Sequence, residues 1–325
     1  MSEPALLALD AKFTDPDVTA TGERRARVSL GGLRTLWINT GTLCNIECRN
    51  CYIESSPDND RLAYISHEEA ARYFEEISSG GWPVREIGFT GGEPFMNPDI
   101  IAMAGDALSR GLSVLVLTNA MQPMQRPHIQ SDLLGLHDAH AGRLAIRVSL
   151  DHYTKALHET ERGPRTFEMT LRGIDWLARA GFTLSLAGRT CWEESEAEAR
   201  AGYADLSAAR GWPIEAYDPA QLILFPEMDE RADVPEITEA CWESLGKNPS
   251  EMMCASSRMV VKRKGAETPV VLPCTLLPYD RGFEMGTTLA DAGRADGGMF
   301  DQGAVKLCHP HCARFCVLGG GTCSA

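Results

Sequence analysis

No run in the chain approaches the roughly 20 apolar residues that a membrane-spanning helix requires. Its first residues, Met1-Ser2-Glu3-Pro4-Ala5-Leu6-Leu7, lack the basic stretch and the apolar run of about 7–15 residues that make a secretory signal. These absences predict a cytoplasmic protein. Basic residues are also scarce, since 31 Lys and Arg against 45 Asp and Glu leave a net charge of −14 over 325 residues. Such a surface argues against nucleic acid or an anionic membrane as partner, because both are gripped by clustered Lys and Arg. Cysteine is too sparse for a disulfide scaffold: 11 residues are about 3% of the chain, where a scaffold has roughly 8–10%. A chain of this length buries enough core to fold without staples, and its 44% apolar and 23% charged residues are those of an ordinary globular protein.

The cysteines that are present are bunched, three within residues 44–51 and four within 308–323. In a reducing compartment, bunched thiols ligate metal more often than they pair.

Residues 1–32 are polar and aperiodic and read as a lead-in segment. From Thr35 onward, short apolar runs alternate with amphipathic stretches, which predicts parallel strands joined by helical crossovers. The strands are expected at Thr35–Asn39, Glu86–Phe89, Ser113–Leu117, Leu144–Leu150, Thr183–Ala187 and Leu222–Phe225. Helices are expected at Ser66–Ser78, Pro98–Arg110, Ser131–His137, Thr166–Ala180 and Glu193–Arg210, the first opening on a Ser66/Glu69 capping box. Six such units are too few for an eight-fold barrel and fit a partial barrel or a doubly wound sheet. After Phe225 the alternation stops at an acidic stretch bounded by Pro226 and Pro235. This predicts a core domain over 33–225 and a second domain over 226–325, with a hairpin over Met259–Lys264 and Pro269–Leu272 and a looped, glycine-rich region over Gly282–Gly303.

Cys44, Cys48 and Cys51 follow the first strand as Cys-x3-Cys-x2-Cys. Three thiolates on one short loop can hold three irons of a four-iron cluster and leave the fourth iron open. A closed zinc site would want a fourth Cys or His close by, and the next is His67, on an expected helix. After the second strand comes Gly91-Gly92-Glu93-Pro94. Glycines let backbone approach a ligand closely, and a carboxylate accepts hydrogen bonds from a cationic amino group.

With these motifs in this order, each at the end of a strand, residues 33–225 resemble the radical S-adenosylmethionine (SAM) superfamily. The resemblance implies a partial (β/α)6 TIM-like barrel, an α/β fold, in preference to an open sheet. It implies a [4Fe-4S] cluster on Cys44, Cys48 and Cys51 and S-adenosyl-L-methionine chelated to the open iron. It further implies reductive cleavage of SAM to a 5′-deoxyadenosyl radical that abstracts hydrogen from substrate, with electrons from a reductase such as a flavodoxin or ferredoxin. By the same resemblance Gly91, Gly92, Glu93, Asn119, Ser149 and Asp151 contact SAM, and either Arg162 or Arg189 binds its carboxylate through a fork of donors. Ile223 and Leu224 read as barrel core that could also pack on adenine. The chain departs from the family at Asn50, where many members carry an aromatic residue before the third cysteine.

Cys254 and Cys274 bracket the expected hairpin, and Cys308, Cys312, Cys316 and Cys323 follow. Their order resembles the SPASM/Twitch-like auxiliary iron–sulfur domains appended to many radical SAM enzymes, although the later spacing, Cys-x3-Cys-x3-Cys-x6-Cys, differs. Six cysteines match neither the four ligands of one cluster nor the eight of two, so one or two auxiliary clusters are expected, the second case leaving positions for His309, His311, another residue or substrate. A zinc knuckle at Cys308-His309-Pro310-His311-Cys312 is the alternative. An auxiliary cluster would take an electron from the substrate radical, bind substrate or brace the fold. Cys191 and Cys241 stand alone and read as small buried hydrophobes. The substrate is expected to be a small molecule or a peptide. The thirty-odd residues before the first strand are shorter than a leader-peptide-binding domain, which tilts the expectation towards a small molecule or a partner-presented peptide. A zinc-dependent scaffold or a simple iron–sulfur electron carrier are the rival functions.

Overall fold

The structure, a computed structural model, describes residues 12–226 and 233–319. Its strands are β1 (Arg27–Val28), β2 (Thr35–Asn39), β3 (Glu86–Thr90), β4 (Ser113–Thr118), β5 (Leu144–Ser149), β6 (Thr183–Arg189), β7 (Leu222–Phe225), β8 (Ser257–Val261), β9 (Val270–Leu272), β10 (Phe300–Asp301) and β11 (Ala304–Lys306). The helices are α1 (His67–Ser79), α2 (Ile100–Ser109), α3 (Pro127–Ala139), α4 (Lys155–Arg162), α5 (Thr166–Arg179), α6 (Glu196–Arg210), α7 (Cys241–Ser244) and α8 (Leu289–Ala292).

Strands β2 to β7 lie side by side in chain order and all run parallel, as the alternation predicts, in the partial β/α barrel that the family resemblance implies. The apolar runs have nowhere else to go: β2, Thr35-Leu36-Trp37-Ile38-Asn39, is buried at every residue, as a parallel strand covered on both faces must be. The crossovers form where their ends are capped. Ser66 Oγ accepts from the amide of Glu69 while the Glu69 carboxylate accepts from the amide of Ser66, so α1 starts where the sequence predicts and buries Tyr73, Phe74 and Ile77. Helix α3 starts four residues earlier than expected because Pro127 occupies its first turn, where a missing N–H costs nothing. Helix α4 was not expected, since its residues Lys-Ala-Leu-His-Glu-Thr-Glu-Arg carry no apolar stripe; it buries His158 and Glu161 instead.

The C-terminal hairpin forms, and its backbone continues the barrel sheet. β8 pairs in parallel with β2, Leu36 opposite Arg258, and β9 pairs antiparallel with β8. An N-terminal strand also joins a C-terminal one in a small antiparallel sheet, where β11 lies between β1 and β10. Beside it the buried Arg25 guanidinium lies 2.5 Å from the Glu236 carboxylate. The region expected as loop over 282–303 holds α8 and β10. Among the described residues no helix is long and apolar enough to cross a membrane. Because all six barrel strands point the same way, their C-terminal ends and the loops attached to them gather at one mouth.

Candidate active site

At that mouth lies a cavity of about 1030 Å³, counting its open entrance. Cys44, Cys48 and Cys51 line it together with Gly91, Gly92, Asn119, Ser149, Asp151, Arg162 and Arg189. Of the residues picked from the barrel sequence, Glu93, Ile223 and Leu224 do not line this cavity, and the others converge on it.

The cysteine loop is clamped from two sides. On one side the glycines set the fit: Gly91 has φ of +134°, and a Cβ on Gly92 would lie 2.1 Å from the carbonyl oxygen of Leu43. The amide of Gly92 donates to the Gly41 carbonyl at 2.8 Å and that of Glu93 to the Leu43 carbonyl at 3.2 Å. The sequence assigns these glycines to a ligand's close approach; the structure adds that they let the cysteine loop itself approach. On the other side Asn50, just before the third cysteine, donates its amide to both oxygens of Glu161 at 3.1 and 2.9 Å. The Arg49 amide donates to the Glu161 carbonyl, and Arg189 Nη2 to the Asn50 carbonyl at 2.6 Å. The unexpected helix α4 thus holds the loop, which sequence reasoning missed although Asn50 itself was a visible departure.

Charges in the site are matched in one place and left over in another. Arg162 grips Asp151 with two bonds of 2.8 and 3.0 Å. Burial would raise the Asp151 carboxyl, but Arg162 and Arg189 outweigh it and hold it below its ordinary range. Arg189 approaches Asp151 only to 3.7 Å, and its Nη1 is buried without a hydrogen-bond partner. Arg162 thus spends two of its donors on Asp151, while Arg189 makes no hydrogen bond to that carboxylate. Glu93 is 1% exposed. It accepts from Thr118 Oγ1 at 2.8 Å and from the amides of Asn119 and Phe95 at 2.9 and 3.2 Å. Burial pushes its carboxyl up to about 7 against those donors. His158 lies behind the pair, 0% exposed with neither ring nitrogen partnered, and burial followed by the field of Arg162 drives it down to about 3.

A second cavity of about 370 Å³ is lined by Cys254, Cys274, Cys312 and Cys316, with His311, Met252 and Met253. Cys312 and Cys316 stand one turn apart on a π-helical segment, Cys312–Leu318. Between them Phe315 faces the first cavity and stacks on Phe225 at 5.6 Å, while Leu276 lines both cavities. Phe315 and Leu276 were not singled out from sequence; the residue between two ligand-spaced cysteines was the available signal. Of the six C-terminal cysteines, Cys308 does not join this ring: its Sγ donates to the carbonyls of Phe13 and Asp15 at 3.3 and 3.4 Å. Cys323 lies outside the described residues. Cys241 is half-buried and accepts from the Thr238 amide, and Cys191 is half-buried beside Arg189.

The donor sets fit clusters better than single ions. Among the described residues no three His, Cys, Asp or Glu side chains converge as one metal ion would require; the thiols instead ring two cavities. Burial pushes Cys44 up to about 12 and Cys254 up to about 11, so each keeps its proton until a cation replaces it. Among the described residues Cys44, Cys48 and Cys51 are the only thiols lining the first cavity and no His joins them, which fits a cluster with one open iron.

Residues 38–191 match the profile of the Radical SAM superfamily. This half-barrel is a radical SAM domain. An AdoMet-dependent heme synthase of Methanosarcina barkeri is 31% identical over 144 residues, 44% of this chain and 38% of that one. The antilisterial bacteriocin subtilosin biosynthesis protein AlbA of Bacillus subtilis is 27% identical over 155 residues, 46% of this chain and 32% of its own length. This chain therefore spans well under half of either relative. In fold, the radical SAM domain together with the C-terminal region is similar to Streptococcus suis SuiB bound to S-adenosylmethionine, with a TM-score of 0.59 at 12% identity over 82% of this chain and 66% of that one.

Proposed function

We propose that the protein is a radical SAM enzyme with one auxiliary iron–sulfur cluster, acting on a small molecule or a peptide. The observation that carries this reading is the convergence of Cys44, Cys48, Cys51, the Gly91-Gly92 turn and an unpaired Arg189 donor on one cavity at the mouth of a parallel half-barrel. When bound, the cluster and SAM supply one-electron cleavage at the sulfonium and, through it, hydrogen abstraction from substrate.

In this reading Cys44, Cys48 and Cys51 would hold three irons of the cluster, and the clamp on their loop would fix the positions of the three thiolates. Arg189 offers Nη1 to the SAM carboxylate. Glu93 has three of its roughly four acceptor sites filled and keeps one for a cationic amino group. Asn119 and Ser149 present polar groups along the strand ends, and the Asp151–Arg162 pair keeps the wall rigid. Tyr52, Ile53, Leu117, Phe225, Leu276 and Phe315 supply an apolar lining that excludes water from a reactive intermediate. Residues 226–325 form the auxiliary unit, with Cys254, Cys274, Cys312 and Cys316 as a complete ligand set for one four-iron cluster. Leu276, which lines both cavities, and Phe315, which lines the first from between Cys312 and Cys316, then lie between it and the substrate cavity. A small reductase, a flavodoxin or ferredoxin, supplies the electron. The names of the relatives, heme synthesis and bacteriocin biosynthesis, span small-molecule and peptide substrates.

The test is anaerobic. Reconstituted protein with dithionite and SAM releases 5′-deoxyadenosine, and the Cys44→Ala variant releases none. Release by that variant, or a colourless protein carrying zinc, would overturn the assignment.

A further inference from the structure

Arg258 sits in mid-sheet on β8 and is 1% exposed. Its donors reach only neutral carbonyls: Nη1 donates to Cys254 and Ser257 at 2.6 and 2.7 Å, and Nη2 to Gly303 at 3.4 Å. Its Nε is buried without a partner, and among the described residues no carboxylate forms an ion pair with it. By contrast the buried Arg25 is matched by Glu236 and the half-buried Arg162 by Asp151. An uncompensated charge in a protein interior is costly, so such a cation implies an anion that the polypeptide alone does not provide. The ionisable groups whose fields reach Arg258 are the thiols of Cys254 and Cys274. Both line the second cavity.

Resting on the reading of that cavity as a four-cysteine cluster site, we propose that Arg258 is the counter-cation of the auxiliary cluster and raises its reduction potential. Four thiolates around an iron–sulfide core carry net negative charge, and one-electron reduction adds another. A fixed cation beside them favours the reduced form, and a guanidinium holds its charge at any working pH. Arg258 is thus a positioning and charge-setting residue; it touches no substrate.

The test uses the full chain with Cys44, Cys48 and Cys51 replaced by Ala, so that the auxiliary cluster alone titrates. Arg258→Gln keeps amide donors for the carbonyls and removes the charge; Arg258→Lys keeps the charge and loses the fork. In an EPR-monitored redox titration at about four irons per chain, Arg258→Gln is expected to shift the oxidised-to-reduced ratio at fixed poise at least tenfold towards oxidised, a fall of 59 mV for a one-electron couple. Arg258→Lys is expected to shift it less than tenfold. Iron lost from the Gln variant and kept by the Lys variant also supports the proposal. An unchanged potential in Arg258→Gln, equal falls in both, or iron lost from both with the fold intact by circular dichroism would overturn it. If the parent chain binds no iron, the cluster reading itself falls, and iron analysis of that parent separates the two failures.

Discussion

The two cysteine sites are built in opposite ways. The cysteines of the barrel site come from eight consecutive residues, 44–51, held by backbone bonds to the Gly91-Gly92 turn and by side chains of α4. The second site draws on three separate stretches: Cys254 just before β8, Cys274 just after β9, and the π-helical segment of Cys312 and Cys316. A local site is organised before metal arrives. A distributed site is organised partly by the metal, because ligation closes long loops whose entropy the empty chain retains. The first is therefore suited to a bound molecule that must be gripped reproducibly, and the second to bracing the sheet extension against the barrel.

The sharpest way to break the contrast is to disturb the clamp without touching a ligand. Gly92→Ala puts a methyl 2.1 Å from the Leu43 carbonyl. It is expected to abolish 5′-deoxyadenosine release and to cost the barrel cluster's iron, about four per chain, while the second site keeps its own. Iron and sulfide analysis with a product assay checks both.

Next in size is stability. Cys274→Ala opens the distributed site and is expected to lower thermal stability of the anaerobic holoprotein by about 2 kcal/mol or more, several degrees in Tm. Cys48→Ala, in the preorganised loop, is expected to cost less. Equal losses in calorimetry would erase the distinction.

Ligand binding separates the sites further. Arg189→Met is expected to weaken SAM binding roughly 10- to 150-fold, the size of a lost charge-assisted hydrogen bond of about 1.5–3 kcal/mol, whereas Cys274→Ala leaves it near wild type; equilibrium dialysis measures this.

The fold was legible because its signals were local. Strand β2 and the cap of α1 stand where the apolar run Leu36-Trp37-Ile38 and a Ser66/Glu69 box put them. The barrel site was legible for the same reason, since its three cysteines sit within eight residues and its glycines are adjacent. What escaped was long-range. Nothing in Lys155–Arg162 announces a helix whose Glu161 anchors a loop more than a hundred residues earlier. Nor does the spacing of six cysteines say that Cys308 turns towards Phe13 while Cys312 and Cys316 join Cys254 and Cys274. Arg162 and Arg189 were equal candidates in sequence, and only the bidentate Asp151 contact tells them apart.

Two smaller effects sharpen the picture. His158 backs the barrel site, and its folded pKa of about 3 lies below the ordinary value of 6.5. The unfolded chain therefore binds the extra proton, so the cost is absent above about pH 6.5 and grows as pH falls towards 3, by at most about 1.4 kcal/mol per unit. His158→Leu is expected to flatten the stability profile between pH 6.5 and 4.5 in urea titrations. Smallest of all, Cys308→Ala is expected to leave iron content unchanged and to cost about 1 kcal/mol, the worth of its hydrogen bonds; iron loss there would redraw the second ligand set.

The central claim is that one chain holds two clusters and only the barrel cluster has an iron open to SAM. EPR of the dithionite-reduced protein, recorded with and without SAM, tests it most directly. Wild type is expected to carry about eight irons and to show two signals, of which SAM shifts one. Replacing Cys44, Cys48 and Cys51 by Ala is expected to remove the SAM-sensitive signal and leave the other unmoved by SAM. A SAM-induced shift that survives in that variant, or one lost on replacing Cys254 and Cys274 instead, would contradict the account.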